Sequence, residues 1–149
     1  MDQTDFETLL EDPSKTIDGD IIWADDEDHS PALEFHVPLQ SAAGMALFVR
    51  GSLNALAHTL SFMIIHRAWG RIYGLDLGKE HHNPNCTFVG ETHKHRWTER
   101  FRDKHAYAPG DVTAAADDPL TAWRQFCEEA KIVHKGVMKL PPPRQLDLL

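Results

Sequence analysis

Five of the ten histidines fall between Lys79 and Tyr107: His81, His82, His93, His95 and His105, together with Cys86, one of the two cysteines. Histidine changes charge near neutrality, so two on one surface can act as general base and general acid. Cations beside them would stabilise the charge that builds on a phosphorus under attack. The sharpest part is Thr92–Trp97 (THKHRW). In a strand, alternate residues share a face, so His93 and His95 would present both imidazoles together. With His93 and His95 as acid and base, Arg71 and Arg96 as phosphate ligands and Tyr73 as a supporting donor, the set suits metal-independent cleavage of RNA.

Two other chemistries fit the same stretch. His81, His82, Cys86, His93 and His95 could hold zinc, but no CxxC or HExxH spacing is present, so the expected site is metal-free and needs no cofactor. Alternatively the stretch docks on a partner. Trp97 and Phe101 alternate with Arg96, Arg100 and Arg102, and aromatic residues with arginine suit protein hot spots and single-stranded nucleic acids alike. No GxGxxG, Walker or GxSxG pattern occurs, which removes dinucleotide, P-loop and serine-hydrolase chemistry.

The elements that must position these residues read as one α+β domain: an antiparallel meander of four or five strands, a short N-terminal helix and a C-terminal helix packed on the sheet. Thr4 and Glu7 have capping-box spacing ahead of Leu9 and Leu10, so a helix over 4–11 is predicted. Leu33, Phe35, Val37 and Leu39 alternate with polar residues, as in a half-buried strand, and Pro38 places it at an edge. Strands follow at 45–50, 59–66 and 71–77, with 51–54 either a bulge or a continuation. The span 59–66 is apolar enough to be central. Asp118 and Pro119 open a helix expected to run to residue 135 and stop at Gly136. The division is then an acidic arm (1–31), a sheet (32–77), a His-rich segment (78–116), a helix (117–136) and a Pro-rich tail (137–149).

Charge divides the chain as well. Residues 1–35 carry twelve acids and one base, whereas 36–149 carry eleven acids and fourteen bases. Asp25, Asp26, Glu27 and Asp28 form the densest acidic run and, with Trp97 and Arg100, the expected partner-binding set. No apolar run is long enough for a membrane span and no secretory leader is readable, so a cytoplasmic protein is expected.

The order of meander, IYGLDLGKEHHNPN, ETHKHRW and C-terminal helix resembles the TumE-like toxin family of bacterial toxin–antitoxin modules. The resemblance covers roughly residues 30–135 and rests on Arg71, Tyr73, Asp76, His81, His82, His93, Lys94 and His95. It implies a toxin that acts on RNA through its histidines, is restrained by a cognate antitoxin and can form a homodimer. The alternative is a non-catalytic phage or prophage inhibitor, anti-CRISPR-like, that binds a nucleic-acid-targeting defence complex through its acidic arm.

Overall fold

The computed structural model describes residues 1–78, 81–82, 88–90, 92–102, 104, 106–107, 110 and 112–142; of 81, 82, 88 and 89 only the backbone is described. The chain begins with helix α1 (Gln3–Glu11). Its cap lies two residues earlier than the Thr4–Glu7 spacing predicts. Asp2 Oδ1 accepts from the Asp5 amide at 2.8 Å, and Asp5 Oδ2 accepts from the Asp2 amide at 3.1 Å. Phe6, Leu9 and Leu10 recur at helical spacing and are buried. The last carbonyls of a helix lack internal partners. Here buried Lys15 supplies them, donating from Nζ to Leu9, Leu10 and Asp12 carbonyls at 2.8, 2.7 and 2.8 Å.

Eleven strands are described in chain order: β1 (Thr16–Asp18), β2 (Ala24–Asp25), β3 (Leu33–Leu39), β4 (Leu47–Asn54), β5 (Thr59–His66), β6 (Gly70–Leu77), β7 (His81–His82), β8 (Phe88–Val89), β9 (Thr92–Arg96), β10 (Ala106–Tyr107) and β11 (Val133–Lys135), with helix α2 (Pro119–Ala130) before the last. Seven form one sheet in the order β10-β9-β6-β5-β4-β3-β2, antiparallel at every pairing. The α+β class and the meander stand, and residues 51–54 continue β4 rather than bulge. The sheet is wider than four or five strands because β9 joins it from the His-rich stretch and two-residue strands add an edge on each side. Pro38 sits on the part of β3 that β2 leaves uncovered, where its missing donor costs no ladder bond.

One face of the sheet builds the core. Phe35, Val49, Leu53, Leu60, Phe62, Ile64, Tyr73 and Leu75 point toward the helices and are buried. Aromatic rings interlock there: Trp23 on Phe35 at 4.9 Å, Phe62 on Trp123 at 5.1 Å and Tyr73 on Phe126 at 5.6 Å. Gly51 faces Phe35 across β3–β4, and a Cβ on it would lie 2.0 Å from the ring. The glycine is what lets that ring lie across the strand.

Two expectations fail. Residues 1–31 are not a detached arm: Phe6, Leu9, Ile17, Ile21 and Trp23 belong to the core. The acids other than buried Asp26 lie on the solvent side of elements whose apolar side packs. Helix α2 begins at Asp118 and Pro119 as expected but ends at Ala130. Lys131 takes a left-handed conformation (φ 56°), and Val133–Lys135 then pairs in parallel with β1. A strand partner over a hundred residues away outweighs the helical spacing by which Val133 continues the series Leu120, Trp123, Phe126 and Ala130. Among the described residues, no helix is long and apolar enough to cross a membrane.

Candidate functional site

The other face of the sheet carries the polar cluster. Ser61 on β5, Asp76 on β6 and His93 on β9 lie directly opposite one another along the ladder. His95 lies opposite Gly74, so its ring has a strand position without a side chain beside it. Asp76 Oδ2 lies 3.1 Å from His93 Nε2 and 3.1 Å from His95 Nε2, and Ser61 Oγ donates to Asp76 Oδ1 at 2.5 Å. All four side chains are buried, Asp76 at 8 % and the histidines at 1 % and 3 % exposure. Burial opposes ionisation of Asp76, but the hydrogen bonds from His93, His95 and Ser61 outweigh it. The carboxyl is held far below the ordinary range and is ionised at neutral pH.

A bulge completes the cluster. Residues 71 and 73 have strand spacing and should share a face. The β5–β6 register slips between Ile64 and Ile65, however, leaving Ile72 unpaired and setting Arg71 opposite Ile65, on the Asp76 side. From there Arg71 runs over Gly74, whose Cβ position is 3.5 Å from Arg71 Cδ, and its Nη2 donates to His95 Nδ1 at 3.2 Å.

These contacts distinguish the two imidazoles. A guanidinium only donates, so His95 Nδ1 presents a lone pair and Nε2 carries the hydrogen toward Asp76. His93 Nδ1 faces the Gly90 carbonyl at 3.0 Å, and its Nε2 faces the carboxylate. Both of its nitrogens meet acceptors. The site thus sets a donor-rich His93 beside a His95 whose lone pair accepts from Arg71, with Asp76 holding both.

Asp76, His93 and His95 also offer three ligand atoms within 4.8 Å of one another, the donor set of a two-histidine, one-carboxylate metal centre. A ligating histidine donates its second N–H to an acceptor. His93 does so to Gly90. His95 instead faces Arg71, which would have to swing away before Nε2 could take a metal. Of the other expected zinc ligands, Cys86 and the side chains of His81 and His82 lie outside the described residues. Cys127 is buried, with its thiol pushed up to about 12 by burial, and is not a nucleophile.

His93, His95 and Arg71 are brought together as expected. Arg96 and Tyr73 are not. They pair with each other on the core face, Arg96 over the Phe6 ring at 5.7 Å and Tyr73 against Phe126. Lys94 lies on that face too, ion-paired with Glu129 of α2, whose other oxygen accepts from Tyr107. Trp97 is 2 % exposed within the core, so it cannot be a docking residue. Arg100 is exposed. Asp25, Glu27 and Asp28 are exposed, but Asp26 is buried, 3.1 Å from His29 and 3.6 Å from Arg50. It closes its own turn instead of facing a partner. Ser61 was missing from the expected set, and Asp76 was named only among the residues that carry the family resemblance. Their signal is a polar residue set between two apolar ones, Ser61 between Leu60 and Phe62 and Asp76 between Leu75 and Leu77.

An α+β sheet protein with a buried carboxylate shared by two histidines is the class that fold and site define. The chain belongs to the Family of unknown function (DUF6978), which it matches over residues 1–132. No curated protein and no solved structure matches it.

Proposed function

We propose that this is a toxin-like protein that cleaves RNA by metal-independent acid–base chemistry. The observation carrying this reading is the convergence of Asp76, His93, His95 and Arg71 on one face within hydrogen-bond reach. Arg71 turns from His95 Nδ1 to a phosphate oxygen of the substrate, and the lone pair it releases becomes the base. His95 takes the proton of a ribose 2′-hydroxyl while that oxygen bonds to phosphorus. His93 gives a proton to the departing 5′ oxygen as the P–O5′ bond breaks. Asp76 orients both rings and balances their charge. A cognate antitoxin as partner and a cytoplasmic site of action go with this reading. The alternative of a defence-complex inhibitor rests on exposed Asp25, Glu27 and Asp28.

Expression in bacteria should arrest growth, and the purified chain should cleave single-stranded RNA in EDTA, leaving cyclic phosphate ends. His93→Ala/His95→Ala should abolish both while circular dichroism shows a folded protein. Unchanged toxicity in that folded variant would refute the assignment, and cleavage lost in EDTA would move the chemistry to a metal.

A further inference from the structure

The β5–β6 turn and the segment after β9 lie at the same end of the sheet, since β6 starts where β9 finishes and the Trp97 amide donates to the Ile72 carbonyl at 2.9 Å. This end collects cations set on aromatic rings. Arg67 lies over Phe48 at 6.0 Å, Arg96 over Phe6 at 5.7 Å, Arg100 over Phe101 at 4.8 Å and Arg102 over Trp97 at 5.2 Å. His66 stacks on Trp69 at 4.1 Å, and Trp69 is 46 % exposed. Arg67, Arg100 and Arg102 are all exposed. The acids nearby are engaged with α1. Asp2 and Asp5 cap its first turn, and Glu99 Oε1 accepts from the Gln3 amide at 2.6 Å. Among the described residues, no carboxylate pairs with Arg67, Arg100 or Arg102.

We infer that this end of the sheet is a binding surface for single-stranded RNA, which enters over Trp69 and Arg67 and is led by Arg71 to the His93–His95 pair. Charge complementarity identifies the occupant: spaced guanidinium groups match a phosphate backbone, and an exposed indole offers a face on which any base can stack. A duplex keeps its bases stacked on one another and has no use for such a platform. Arg71 is the physical link, since it starts at this end and reaches His95. The choice of RNA over DNA rests on the cleavage reading above; the binding surface does not.

Fluorescence anisotropy of the full chain with a labelled 2′-O-methyl 12-mer, which cannot be cleaved, tests this across a potassium chloride series. Affinity should fall as salt rises. Arg67→Gln/Arg100→Gln should flatten the log–log salt slope by about 1.4, roughly 0.7 for each phosphate no longer neutralised. Trp69→Ala should weaken binding about tenfold with no change in that slope. All three positions are exposed, so thermal melting should be unaltered. An unchanged slope in the double variant, unchanged affinity in Trp69→Ala, or equally tight binding of a duplex would overturn the surface. Equal affinity for DNA of the same sequence would overturn the choice of RNA. The His93→Ala/His95→Ala chain should still bind the 12-mer, and an unsubstituted chain that binds it yet cleaves no RNA sinks the catalytic reading alone.

Discussion

Replacing Asp76 by Asn keeps the shape of the buried cluster and removes its charge. The carboxylate accepts three hydrogen bonds, from Ser61, His93 and His95, in a place almost closed to water. Losing the ionic character of the histidine bonds there should cost about 3 kcal/mol at pH 7. The pH dependence is more telling. Because the folded carboxyl titrates far below its unfolded value, its contribution is complete above about pH 5 and is lost as pH falls. By pH 3 the unfolded chain, with an ordinary value near 4, has taken up most of a proton that the folded chain still refuses. About 1.3 kcal/mol of the contribution is then gone. Other carboxyls add to the acid slope of the wild type. Glu11 is lowered by its bond from Lys131, Asp12 by Ser14 and Asp20 by the Val137 amide. The quantity to follow is therefore the difference between wild type and Asp76→Asn in urea unfolding at pH 7, 5, 4 and 3. It should narrow toward acid. A difference that stays flat from pH 6 to pH 3, or lies under about 0.5 kcal/mol throughout, would refute an ionised Asp76 at the centre of the site.

Two further substitutions test the framework. Gly51→Ala sets a methyl 2.0 Å from the Phe35 ring, within the aromatic cluster, and should destabilise the chain by about 3 kcal/mol in urea unfolding; a loss below about 1 kcal/mol would mean that the ring has somewhere else to go. Burial pushes the Lys15 ammonium down to about 8, yet each of its three hydrogens meets a carbonyl, so it remains charged at neutrality. Lys15→Met keeps the stem and strands those carbonyls, and thermal denaturation should show a loss of about 2–4 kcal/mol; an unchanged melting point would show that α1 closes without it.

The parts of the fold legible in the sequence are those governed by near neighbours. Leu33 to Leu39 alternates as a strand does, and Asp118–Pro119 marks the start of α2 by capping chemistry alone. His93 and His95 share a face because two-residue spacing requires it, and the same rule sends Arg96 and Lys94 to the opposite side. Arg71 and Tyr73 obey that rule in sequence and break it in the structure, because the extra residue at Ile72 turns the strand over between them. A bulge has no composition signal here. Asp76 is visible from the resemblance and otherwise as one acid in RIYGLDL, where burial beside two histidines makes sense once β9 is known to lie against β6. The stripe of Phe6, Leu9 and Leu10 is legible at helical spacing, but the acidic N-terminus still reads as an arm because nothing local shows that the stripe packs with Ile17, Ile21 and Trp23 in the core.

The parallel pairing of β1 with β11 joins residues from the two ends of the chain, as in the bond from the Val137 amide to Asp20, 117 positions apart. Closing so long a loop costs about 4 kcal/mol of chain entropy, whereas each hairpin of the meander closes across a short turn. The hairpins are therefore the contacts that cost least chain entropy to close, and this clasp is among the costliest. The family match stops at residue 132, one position short of β11. A chain trimmed to the matched region would keep the histidines and the sheet but lose its fastening, leaving β1 with only the Thr16–Gln40 bridge and the core without Met138.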